Sequence, residues 1–146
     1  ACEEEDMILV VSAGLHQNLN PEYNGLIPRD VQRLINSTQM ERDKRNLDDA
    51  SLSSWDKMDP QKGRLFRDWY RQSFLSKLIN ELDDPITPRV VTRTVIDFCV
   101  RNTTALREYM EQNPTLKAEP RDKSLYPGIM DHTSCVVLQV GKIYRG

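Results

Sequence analysis

From residue 60 to residue 82 the apolar side chains Leu65, Phe66, Trp69, Tyr70, Phe74, Leu78 and Leu82 recur at steps of three and four. That spacing places them on one broad face of an α-helix, and a face carrying so much aromatic and aliphatic surface has to be buried. Asp59 supplies a capping oxygen, and Pro60 takes the first helical position, where its missing N–H removes no hydrogen bond. Asp83-Asp84-Pro85 ends the pattern, because proline disfavours helix at the residue before it. Thr87-Pro88 then opens a second long helix carrying Val91, Val95, Phe98, Leu106 and Tyr109, with Asn102-Thr103-Thr104 as the place for a kink or a new cap. The turn between the two is short, which predicts antiparallel neighbours. The second helix stops near Asn113-Pro114. A third, shorter helix starts at Pro28 with Val31, Leu34 and Ile35 as its stripe.

The two ends of the chain have a different period. Met7-Ile8-Leu9-Val10-Val11 follows the acidic lead Glu3-Glu4-Glu5-Asp6 and is broken by Ser12-Ala13-Gly14, which reads as a buried strand. Residues 135–140 read as another strand, turned at Gly141 before Ile143 and Tyr144. Pairing the two gives an α+β, helix-dominated single domain over residues 1–146, with about three main helices and a small sheet formed by the N- and C-terminal strands. Residues 18–25 and 115–128 are rich in turn formers and read as surface connections. Residues 41–54, anchored by few apolar side chains, read as a frayed helix extension or a mobile long loop.

Composition excludes several function classes. Lys and Arg number 20 against 22 Asp and Glu, so a net charge of -2 gives no bulk attraction to nucleic acid or an anionic membrane. Arg64, Arg67 and Arg71 line one helical face, but Asp68 stands among them, so the stripe reads as a solvated charged surface, not a nucleic-acid interface. Asp97 reads as the surface partner of Arg93 or Arg101. The longest apolar runs fall far short of the roughly 20 residues needed to span a bilayer. The six glycines are isolated, which removes phosphate-binding loops. There is no CxxC or HExxH, and His16 and His132 are the two histidines, so neither a metal nor an organic cofactor is expected.

Asp131-His132-Thr133-Ser134-Cys135 is the densest group of reactive side chains. An imidazole that takes the thiol proton, held by a carboxylate, makes a cysteine nucleophile. Residues three apart on a strand point to opposite faces, however, so a structural Cys135 beside an exposed His132 is the simpler reading. Cys2, Cys99 and Cys135 are odd in number. Ala1-Cys2 matches what remains at a lipoprotein cleavage point, making Cys2 a candidate lipid anchor and leaving Cys99 and Cys135 as a candidate disulfide. The other reading of Cys99 is a small buried hydrophobe. Asn36-Ser37-Thr38 and Asn102-Thr103-Thr104 form sequons, with Asn102 too close to the apolar stripe of its helix to carry a glycan.

Trp55 lies in a polar stretch outside the periodic core, either as a contact residue for a partner or as a lid over the helices. Partner surfaces are expected on residues 18–26, around Trp55 and on residues 125–132, with Tyr23, Trp55 and Tyr126 as the aromatic contacts. The reading that results is a non-enzymatic, extracytoplasmic protein-binding or inhibitory domain, secreted or periplasmic, whose partner is another protein. The alternative is a small cysteine-dependent enzyme using Cys135 with His132 or His16.

Overall fold

A computed structural model describes residues 2–38, 50–83 and 85–141. Ala1 of the Ala-Cys junction, most of the segment read as a frayed helix or long loop, and Ile143 and Tyr144 lie outside the described residues. The element order is β1 (Met7–Val11), α1 (Ala13–Asn18), α2 (Pro28–Thr38), α3 (Pro60–Asn80), α4 (Pro88–Asn102), α5 (Thr104–Gln112) and β2 (Cys135–Gln139), with single 3-10 turns at Glu22–Asn24, Ser51–Ser53 and Trp55–Lys57. This is the helix-dominated α+β fold expected, with the terminal strands paired antiparallel.

Helix boundaries follow local chemistry. Asp59 accepts the Lys62 N–H at 3.0 Å ahead of Pro60, and Thr87 Oγ1 accepts the Val90 N–H at 3.3 Å ahead of Pro88. Each cap satisfies a donor that the first helical turn leaves open. In α2, Asp30 reaches back to the Ile27 N–H at 3.0 Å, half of a capping box. The chain restarts at Thr103: its hydroxyl bonds back to the Cys99 carbonyl at 2.9 Å, and α5 begins without a side-chain cap.

The α3 helix is the spine of two apolar clusters. Phe66 and Tyr70 join Val31, Leu52 and Met58, whereas Leu15, Leu19, Val91, Val95 and Cys99 form the second cluster under the sheet. Phe74 packs against both, 5.7 Å from the Tyr70 ring centroid and 4.9 Å from that of Phe98. Leu65 departs from the expected stripe and is 68% exposed, because α3 turns its Phe66, Tyr70 and Phe74 edge inward and Leu65 falls beside it. Leu34 of α2 is also exposed, since α2 packs through Val31 and Ile35.

In the sheet, Met7, Leu9, Val11, Cys135 and Val137 pack against the second cluster, and α4 covers this face. The expectation of a wholly buried first strand is corrected on the other face. Ile8, Val10, Val136 and Leu138 are 41%, 57%, 57% and 55% exposed, because side chains alternate and no described element lies over them. In register, Ile8 stands opposite Leu138 and Val10 opposite Val136.

The N-terminal part of the connection read as an exposed loop over residues 18–25 is buried instead. Asn18, Leu19, Asn20 and Pro21 are all buried, and Asn18 is the last residue of the short helix α1, which Ser12 caps. Asparagine side chains make that burial tolerable by hydrogen-bonding the backbone groups that a buried loop would otherwise leave unpaired.

Candidate functional site

The segment from Asp131 to Cys135 is pinned to the start of α1. Ser12 Oγ donates to the His132 carbonyl at 3.0 Å and accepts the Ser134 N–H at 3.0 Å, while the Ser12 N–H donates to the Ser134 carbonyl at 2.9 Å. Gly14 lies so close beneath that a Cβ there would collide with the His132 carbonyl oxygen. The Asp131 carboxylate accepts the backbone N–H of His132 at 2.7 Å, so it orders the turn and not the imidazole.

Cys135 faces inward and packs with the cluster that contains Cys99, while His132 is exposed. Among the described residues no hydrogen bond joins either imidazole to Cys135. His16, on the exposed side of α1, senses α3 instead. Desolvation and then the Arg71 guanidinium lower its pKa, with Asp68 pulling the other way. Cys99 and Cys135 are close enough for the charge of one to raise the other's pKa, yet both are free thiols. Burial first, and Cys135 second, push the Cys99 thiol up to about 11, so at neutral pH it is protonated and a poor nucleophile.

A groove of about 460 Å³ runs along the junction of α4 and α5 beneath residues 129–133, with Cys99, Thr103, Arg107, Asp131 and His132 in its wall. Nothing in the local sequence around Arg107 marks it as part of this neighbourhood. Arg107 Nη2 donates to the Val100 carbonyl at 3.1 Å, and its Nε is buried with no partner. The groove therefore offers one guanidinium and one carboxylate, but no activated thiol. Among the described residues no group of three or more His, Cys, Asp or Glu side chains converges to hold a metal.

The three segments marked as partner surfaces meet. Trp55 donates its indole N–H to the Leu26 carbonyl at 2.8 Å, and Arg67 lies 4.4 Å over its ring while pairing with Glu22 at 2.9 Å. This is the lid arrangement: the indole packs against the cluster that Val31, Leu52, Met58, Phe66 and Tyr70 form. On the other side, the Gly128 N–H donates to the Tyr23 carbonyl at 2.7 Å, and Asn102 Nδ2 donates to Asn24 Oδ1 at 2.8 Å. Gly25, with φ of +73°, packs its backbone directly on Ser124, where a side chain would collide. Tyr126 packs against Tyr109 with ring centroids 4.5 Å apart and planes tilted by 45°. Residues 18–26 thus sit between the Trp55 turn and the 122–130 loop, and both Leu125 and Met130 remain exposed at the surface.

The arginine stripe is neutralised locally. Arg64 and Arg71 pair with Asp68 at 3.7 and 2.9 Å, and Arg93 pairs with Asp97 at 3.7 Å. An apolar groove of about 540 Å³ lies between α2 and α3, lined by Leu34, Trp69, Phe74 and Leu78. Among the described residues no helix is long and apolar enough to cross a membrane. No protein-family model, curated protein or solved structure matches this chain.

Proposed function

We propose that this chain is a non-enzymatic protein-binding or inhibitory domain acting outside the cytoplasm. The observation that supports it is the tying together of residues 18–26, the Trp55 turn and the 122–130 loop by backbone and side-chain hydrogen bonds. Loops held in this way enter a complex with little ordering entropy left to lose, and so present a preorganised contact surface. Exposed Leu125 and Met130 supply its apolar anchors, and Tyr23 and Tyr126 flank them along the same loops. Trp55 contributes by rigidifying the surface, since its indole N–H and ring face already have partners.

Cysteine-dependent catalysis has less support. The Asp131 carboxylate is engaged by backbone, His132 is exposed, and among the described residues no hydrogen bond joins His132 or His16 to Cys135. Cys99 and Cys135 are free thiols near enough for the charge of one to act on the other, and their oxidation state in the native protein tests the extracytoplasmic compartment.

The test is quantitative capture by the purified chain from secreted or periplasmic fractions, compared with Leu125→Asp and Met130→Asp variants of unchanged thermal midpoint. A specific partner should be retained by the parent and lost at least about tenfold by each variant, as expected when an interface anchor is removed. Identical capture by all three proteins would refute the loop surface. Rapid alkylation of Cys135 by iodoacetamide at neutral pH would bring the enzyme reading forward.

A further inference from the structure

We propose that the outward face of the two-stranded sheet is a self-association surface, on which a second copy of this chain packs face to face about a twofold axis. The sequence pattern is the first ground. An antiparallel strand with one solvated face alternates apolar with polar residues, whereas β1 is apolar at all five positions and β2 at four of five, Cys135 counted among them. Strands apolar on both faces belong in sheets that are covered on both faces. Helix α4 covers one.

Register and exposure turn that pattern into a surface. Ile8 opposite Leu138 and Val10 opposite Val136 form a contiguous two-by-two patch, without a charged group among the four. At their exposures they present roughly 350 Å² of apolar surface, a size at which patches on monomers are commonly functional. Two copies would hide about 700 Å² through these side chains, short of the ~1,200 Å² of standard-size interfaces, so the association is a weak, reversible one.

The patch also matches itself. An antiparallel pair has a local dyad along the sheet normal, which exchanges Ile8 with Val136 and Val10 with Leu138, all branched aliphatic side chains. Such a face looks much the same to a second copy after a half-turn in its plane, and it carries no charge that would select a different partner. The charges lie beside it: Glu3, Glu4, Glu5 and Asp6 are exposed at one end of the sheet. A twofold axis running across the strands sends the acidic leads of the two copies to opposite ends, whereas an axis along the strands would place them together. Repulsion selects the first arrangement. Two sheets stacked in this way lie about 10 Å apart, the ordinary spacing of a sandwich core.

Sedimentation equilibrium of the full chain from about 5 to about 500 µM spans the expected affinity. The parent should pass from monomer to dimer and form no larger species. Val10→Thr/Val136→Thr keeps shape and strand propensity while adding hydroxyls, and should weaken the dimer at least about tenfold at unchanged circular dichroism. Ile8→Thr/Leu138→Thr tests the same face independently, should either pair impair folding. Leu125→Asp, in the proposed loop surface, should leave the dimer intact, so the two proposals fail separately. A monomer at every concentration, open-ended association, indifference to both threonine pairs, or equal weakening by Leu125→Asp would each overturn the proposal.

Discussion

Asn18 holds Ile129, 111 residues away in the chain, through both polar groups of that residue: its Nδ2 donates to the Ile129 carbonyl at 3.2 Å and its Oδ1 accepts the Ile129 N–H at 3.1 Å. A third bond, from Nδ2 to the Gly14 carbonyl at 2.9 Å, fixes the amide within α1. With Asn18 only 1% exposed, these bonds have no water to replace them. Asn18→Leu fills nearly the same space but strands the Ile129 N–H and carbonyl, and should cost about 2 to 4 kcal/mol. Urea unfolding of the variant measures it. A loss below about 0.5 kcal/mol would mean that the 129–133 segment is not anchored here.

Gly128 makes a second test of the same junction. Its φ of +82° suits glycine, and an added Cβ would lie 2.6 Å from Asn18 Oδ1 and 2.7 Å from Thr103 Cγ2. Backbone strain and the collision act together, so Gly128→Ala should destabilise by about 2 to 4 kcal/mol. Gly141 has open space where its Cβ would stand, and Gly141→Ala should stay within about 0.5 kcal/mol of the parent. Equal effects at the two positions would contradict the close approach of the Gly128 loop to α1.

The Cys99 thiol links stability to alkaline pH. Its folded-state pKa of about 11 lies above the ordinary 9.0, because Cys99 is buried and Cys135 adds a like charge beside it. The neutral thiol is the form the fold favours. Its contribution is therefore complete below pH 9 and is lost progressively as pH rises through 11. The whole effect is on the order of 2 kcal/mol. Denaturant midpoints measured between these pH values should fall for the parent and fall less for Cys99→Val, which keeps the bulk and removes the titrating group. Parallel pH profiles would rule out a buried titrating Cys99.

Oxidation should join the two neighbouring thiols. In a Cys2→Ser background, half-buried Cys135 would displace one glutathione as the thiol from glutathione disulfide and keep the other as a mixed disulfide. Attack by the Cys99 sulfur would then close Cys99–Cys135 and release reduced glutathione. The raised Cys99 pKa makes the second step slow at neutral pH and faster as pH rises. Closing a loop of about 36 residues adds roughly 3 to 4 kcal/mol in the chain-entropy account. Peptide mapping without reduction detects the bridge, and a mixed disulfide at Cys135 that persists at alkaline pH would show that the sulfurs cannot meet.

Helices α3 and α4 were legible because each is delimited by a cap and a proline within a few residues, and their stripes needed no knowledge of the partner element. The candidate site was less so. The reactive residues at 131–135 were visible, but their disposition was not, since Ser12 and Gly14 from the far end of the chain decide how that segment turns. Residues 18–24 look like an exposed turn by composition. The burial of residues 18–21 depends on Asn18 finding Ile129, and the turn that follows is held by Asn24 meeting Asn102, which no local propensity records.

By itself the sequence determined what short-range physics sets: helix starts at Asp59-Pro60 and Thr87-Pro88, the strand character of both termini, and a charge balance too even to steer the chain. Only the tertiary structure decided that Leu65 would face solvent, that Trp55 would be held under Arg67, and that Ile8, Val10, Val136 and Leu138 would stand together on one open face. Periodicity says which residues share a side of an element. What that side meets is settled by contacts between segments a hundred residues apart, where burial and hydrogen-bond satisfaction outweigh local preference.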